Sequence, residues 1–197
     1  MPDTEKGRAP GRPRRFDAEK AVTTAQEMFH AKGYDGVSLA ELTQAMGINP
    51  PSFYAAFGNK RGLYARVLDR YAQTGAIPIA DILRDDRPVA DCLKTLIEEA
   101  ARRYGADPSA PGCLVIEGAR CQDRDARAAT SAFHVAAEDA VRAYVAERYP
   151  EAADRVTDYI GTVMIGLSAR ARTGHDLDRL LAAARLAGEA LSRDLPG

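Results

Sequence analysis

The sequence contains no tryptophan, and only three of its 197 residues are cysteine. Cys92, Cys113 and Cys121 are odd in number and fit neither a paired disulfide framework nor a C-x-x-C metal spacing, so reduced thiols in a cytoplasmic protein are expected. No apolar run approaches the roughly 20 residues of a membrane span, and no apolar stretch near the N-terminus reads as a signal peptide. A membrane partner is therefore not expected. Alternation of apolar and polar residues never extends far enough for a strand, and no internal repeat is present. A phosphate-binding glycine loop, a nucleophile elbow and a metal-ligand motif are also missing, which argues against an enzyme, a metal and a cofactor. What remains, 46% hydrophobic and 28% charged residues, is the composition of a folded globular chain.

The net charge of -1 hides an asymmetry. Residues 1–75 hold 11 Lys and Arg against 8 Asp and Glu, whereas the rest hold 16 against 20. Within residues 1–15, Lys6, Arg8, Arg12, Arg14 and Arg15 sit among Pro and Gly. This composition predicts a basic arm, disordered without a partner and suited to neutralising phosphates along a groove.

The stretch from Ser38 to Lys60, SLAELTQAMGINPPSFYAAFGNK, organises the rest. Ser38 and Glu41 have the S-x-x-E spacing of a capping box, so a helix begins just after Ser38. Leu39, Leu42 and Met46 recur on one face, and Gly47 suits the left-handed conformation that ends a helix. Asn49 is a good N-cap and Pro50 suits the first helical position, so a second short helix follows at once and runs to about Phe57. Asn59 caps a third, from Lys60 onward. Two short helices joined by a tight glycine-containing turn form the helix-turn-helix pattern, whose second member enters the DNA major groove. Pro50, Pro51 and Ser52 lie at the end of that second helix nearest base edges. They are too small for bidentate base contacts, which leaves thymine methyls, Gln44 or Thr43, and DNA shape to carry specificity.

These residues, with the F-Y-x-x-F-x-x-K run at the same spacing, make residues 11–71 resemble the DNA-binding domain of TetR/AcrR-type transcriptional regulators. The resemblance implies that Tyr54 and Lys60 contact backbone phosphates while Phe53 and Phe57 join the core; Pro51 departs from the small residue often found at its position. The candidate DNA contacts are thus Arg14, Ser38, Thr43, Gln44, Asn49, Pro50, Pro51, Ser52, Tyr54 and Lys60, and the partner is a double-stranded operator.

Further along, Asp17 caps a first helix bearing Val22, Ala25 and Phe29. The helix after Asn59 carries Leu63, Tyr64, Val67, Leu68 and Tyr71 before Gly75 and Pro78 interrupt it. Amphipathic patterns then predict helices over 88–104, over 113–121, over 124–149 with Ala129, Phe133, Ala136, Ala140, Tyr144 and Val145 inward, over 152–173 and over 177–193. The expected fold is all-α: a basic arm (1–15), a three-helix helix-turn-helix DNA-binding domain (16–75) joined through a fourth helix to a helical ligand-binding and dimerisation domain (76–197). The resemblance implies a homodimer through the last two helices, bound to a palindromic operator as a repressor and released by a small-molecule effector. Candidate effector contacts are Leu96, Cys113, Ile116, Cys121, Phe133, His134 and Met164. Cys113 at a helix start, with Cys121 two turns later on a similar side, also suggests a thiol-based sensor of oxidants or electrophiles, a property of some members of this family. A ligand-independent architectural DNA binder and a Cys/His enzyme are the remaining alternatives.

Overall fold

The structure, a computed structural model, describes residues 16–195; the basic arm with Arg14 lies outside the described residues. Among the described residues every regular element is helical. Helix α1 spans Ala18–Lys32, with Asp17 accepting from the backbone N–H groups of Glu19 and Lys20. Helices α2 (Leu39–Met46) and α3 (Pro50–Phe57) form the helix-turn-helix, and α4 (Lys60–Thr74) leaves it. A short α5 (Ile79–Ile82) precedes α6 (Val89–Gly105), α7 (Leu114–Gly118), α8 (Arg124–Ala146), α9 (Ala153–Arg172) and α10 (Leu177–Asp194). A 3₁₀ turn at Pro150–Ala152 joins α8 to α9.

Helix α4 is the hinge of the packing. It lies against α1 on one side and α8 on the other, while α6 packs along α10 and α9. Its five expected apolar residues are all buried, and Tyr64 makes ring contacts with Phe29 of α1 and with Tyr34. Helix α6 buries Leu93, Leu96, Ile97 and Ala100 completely. Burying such a stripe gives these helices most of their stability, since isolated helices of this length are marginal in water.

Three expectations are corrected. The segment 113–121 is one helix only over Leu114–Gly118; Cys113 is its N-cap residue and Cys121 lies beyond its end. The inward stripe of α8 is Ala126, Thr130, Val141, Tyr144 and Val145, and Ala136 and Ala140 face solvent. Thr130 breaks the apolar pattern because its hydroxyl donates to the Ala126 carbonyl at 2.8 Å, so it needs no solvent. Helix α8 also ends at Ala146, short of the residues before Pro150.

Candidate DNA interface and effector cavity

The reading head is built by local capping. Ser38 Oγ accepts from the Glu41 N–H at 3.2 Å while Glu41 Oε2 accepts from the Ser38 N–H at 2.8 Å. Lys32 adds an ion pair to Glu41 at 2.8 Å. These contacts, the hydrogen bond from Lys32 first and those from Ser38 next, lower the Glu41 carboxyl to about 2. Gly47 ends α2 with φ 66° and ψ 34°, the left-handed conformation that an L side chain resists, and so turns the chain within three residues into α3. Asn49 Oδ1 accepts from the Ser52 N–H at 2.9 Å, with Pro50 and Pro51 opening the helix.

This arrangement leaves Ser38, Gln44, Asn49, Pro50, Pro51, Ser52 and Tyr54 exposed, Tyr54 by 51%, on the outer surface of the motif. Phe53 and Phe57 point inward. Thr43 does not join the exposed set: it is buried, and its hydroxyl donates to the Leu39 and Ala40 carbonyls. Lys60 is half-buried. Its Nζ donates to the Tyr34 carbonyl at 2.6 Å and stands 4.1 Å from the Tyr34 ring centroid, and loss of hydration lowers its pKa.

A cavity of about 140 Å³ lies where α4, α5, α6, α7, α8 and α9 meet. Its wall includes six of the expected effector contacts: Leu96, Cys113, Ile116, Phe133, His134 and Met164. Cys121 is not among them. Its thiol donates to the Asp123 carbonyl near Tyr34, and burial, with Asp35 and Asp123 nearby, pushes its pKa up. The two cysteines therefore face different surroundings, because the helix that was to align them stops at Gly118. Tyr71, Tyr104, Glu138 and Thr157 complete the polar part of the wall. Sequence reasoning missed these four; only Glu138, one turn after His134, carried a local signal, and its carboxylate stands 3.3 Å from His134 Nε2. Tyr71 donates to Cys113 Sγ at 3.7 Å, and burial pushes the Tyr71 phenol up, so that it stays a neutral donor.

A second set of contacts ties the reading head to the cavity wall. His30, in the last turn of α1, meets the Gly112 carbonyl through Nε2 at 3.0 Å; a carbonyl only accepts, so Nε2 carries the proton. Arg172 of α9 donates to the His30 carbonyl and pairs with Glu117 of α7 at 3.3 Å. Asp35 accepts from the Gln122 N–H at 2.7 Å, and Arg61 pairs with Asp125. These partners are far apart in sequence, so no periodicity announced them.

An exposed second helix behind a tight turn, carried by an all-α frame, defines a DNA-binding regulator of the helix-turn-helix class. Residues 21–67 match the description of bacterial regulatory proteins of the tetR family. The chain is 52% identical over 191 residues to the HTH-type transcriptional repressor BdcR of Escherichia coli K12, covering 97% of each chain. It is 28% identical to the HTH-type transcriptional repressor ComR of the same organism, covering 87% of each. Among solved structures, the TetR-family regulator CifR, as a cysteine mutant bound to 26-bp double-stranded operator DNA, superposes with a TM-score of 0.79 at 32% identity, covering 91% of this chain and 99% of CifR. The chain belongs to the TetR family of transcriptional regulators, proteins that bind DNA rather than catalyse a reaction.

Proposed function

We propose that this protein is a repressor that binds a palindromic operator as a homodimer and lets go when a small molecule enters the cavity. In this reading residues 1–15 form a basic arm, 16–75 read DNA, and 76–197 bind effector and dimerise. The observation that carries it is the place of Tyr71 and Ala72: both belong to α4, the helix that leaves the helix-turn-helix, and both line the cavity. A molecule filling the cavity therefore presses on the element that carries α2 and α3. Effector release requires that the ligand prefer the conformation that does not fit the operator, because a ligand shifts an equilibrium only by its differential affinity.

Dimerisation is supported by the last two helices, which leave Tyr159, Leu177 and Leu186 exposed, Leu186 by 67%. Two recognition helices about 34 Å apart would then meet successive major grooves. Ser38, Gln44, Asn49, Pro50, Pro51, Ser52 and Tyr54 are the proposed DNA contacts. Lys60 supports them by fixing Tyr34, and its reach to a phosphate requires it to leave that carbonyl.

Fluorescence anisotropy with the DNA flanking the protein's own gene, over a salt series and against unrelated competitor, tests this function. Two protomers per site, resistance to competitor and a steep fall with salt are expected; equal binding to any DNA favours an architectural binder. A second reading, sensing of electrophiles by a thiol, is favoured by one observation: Cys113 is among the residues lining the cavity, with Tyr71 and Tyr104. Retention of electrophile-driven DNA release in Cys113→Ser would eliminate it.

A further inference from the structure

The cavity wall holds a single carboxylate and no lysine or arginine. Most of its other polar groups are occupied. Thr157 donates to the Ala153 carbonyl at 2.8 Å, and the Tyr71 and Tyr104 hydroxyls both turn onto the Cys113 sulfur. That leaves the pair His134 and Glu138, on successive turns of α8 and each only partly open to solvent. An ionised carboxylate is an acceptor with about four lone-pair directions, and one imidazole at 3.3 Å meets only one of them. Across from it, Gly161 of α9 presents bare backbone; a Cβ there would stand 3.0 Å from Glu138 Oε1, so the glycine makes room for the carboxylate in the wall.

The remaining surface is alkyl and aromatic, with the rings of Tyr71, Tyr104 and Phe133 among the lining. An anionic ligand entering this space would lose hydration, meet no lysine or arginine and face the Glu138 carboxylate. A positively charged nitrogen finds the opposite: a carboxylate acceptor and aromatic faces, both of which attract it more strongly as water is excluded. Size narrows the class further. An apolar cavity of about 150 Å³ accommodates benzene, close to the 140 Å³ here.

We propose, building on the effector reading above, that the cavity accepts a small organic cation, a protonated amine carried on an apolar body about the size of one six-membered ring, with Glu138 holding the nitrogen. Carboxylates, phosphates and nucleotides are excluded as effectors.

The test uses three probes of one shape: benzylamine, benzyl alcohol and benzoate, titrated calorimetrically into the full-length protein at pH 7.5, with wild type, Glu138→Gln and Met164→Trp. Benzylamine is expected to bind about tenfold or more tightly than benzyl alcohol, the scale of one charge-assisted hydrogen bond, and benzoate not to bind. Glu138→Gln should bring benzylamine and benzyl alcohol to similar affinity, and Met164→Trp, which fills the space, should abolish both. Benzyl alcohol binding as tightly as benzylamine in wild type, or a preference for benzylamine that survives in Glu138→Gln, overturns the cationic class while leaving the cavity as an effector site. Benzylamine binding that survives Met164→Trp also overturns it, since the amine then sits on surface carboxylates. Failure of all three probes at millimolar concentration removes the cavity as a site for ligands of this size, and the effector reading with it.

Discussion

The helix-turn-helix and the cavity are held together over different distances along the chain. In α2 and α3 the capping and turn contacts that define the elements join residues three or four positions apart: Ser38 with Glu41, Thr43 with Leu39, Asn49 with Ser52. Around the cavity the corresponding contacts span the fold. Tyr71 reaches Cys113 across 42 positions, and Ser168 accepts from the Cys113 N–H across 55. The reading head is thus a preformed unit whose outer face is set by its own caps. The cavity is a gap left where six helices converge, and its shape depends on how those helices sit, which is what an effector-responsive region requires and a DNA-reading surface does not.

The largest effect that tests this contrast lies within α3 itself. Phe53 is fully buried, its ring tilted against that of Phe57, whereas its neighbour Tyr54 is half exposed. Phe53→Ala is expected to cost about 3–5 kcal/mol in urea unfolding and to lose DNA binding through loss of the fold. Tyr54→Ala should change stability by no more than about 0.5 kcal/mol and still weaken operator binding several-fold. If both variants lost DNA affinity only in proportion to stability, the outer face of α3 would not be a reading surface.

Next in size is Leu96, completely buried and yet at the cavity wall. Leu96→Ala should cost about 2–4 kcal/mol, and because it enlarges the cavity it should admit a bulkier probe than wild type does. Unfolding and probe titration check the two halves of that statement; a stability loss without wider ligand acceptance would mean that the wall collapses to fill the gap.

Legibility follows the same division. Caps and glycine turns are local chemistry, so Asp17, Ser38, Gly47, Asn49 and Asn59 placed the ends of α1 to α4 correctly. The apolar stripes of α4 and α6 were equally readable from their spacing. In α8 the spacing misled: a polar Thr130 is buried because it bonds its own helix, and alanine is as easily exposed as buried, so Ala136 and Ala140 gave no usable contrast. Thr43 and Lys60 make contacts that their spacing did not announce. Each polar group found a backbone carbonyl in the fold, and the tendency to do so depends on a neighbouring turn that composition does not reveal. Six of the cavity residues could be named from the sequence, because side chains on converging helices are its natural lining; the joint at His30 could not, since Arg172 lies 142 positions away.

A smaller effect separates the caps from the packing. Ser38→Ala should cost about 1 kcal/mol without altering the cavity. The Glu41 carboxyl, depressed from 4.5 to about 2, contributes stability that is fully present above about pH 4.5 and is lost as pH falls toward 2, because the unfolded chain then binds the proton that the folded one refuses. The stability difference between wild type and Glu41→Gln should therefore shrink over that window. A constant difference would mean that the capping contacts do not depend on the charge.

The joint between the two regions gives the mildest effect and the sharpest sign. Burial lowers the His30 pKa, with Arg172 adding to the effect, while the Gly112 carbonyl, Asp107 and Glu117 oppose it; the Tyr71 ring packs edge-on beside it. The folded protein thus binds fewer protons at this site than the unfolded chain does below about pH 6.5, and stability rises with pH through that window, by at most about 1.4 kcal/mol per pH unit for one group. His30→Gln keeps a donor for the Gly112 carbonyl and cannot titrate. Its unfolding midpoint should match wild type at pH 8, and wild type should lose ground to it as pH falls from 6.5 to 5. His134 and His175 are present in both proteins, so the difference isolates His30. If the two curves ran parallel, the imidazole would be free to protonate where it sits, and the tie between α1 and the cavity wall would be loose enough for the reading head to move without disturbing the effector region at all.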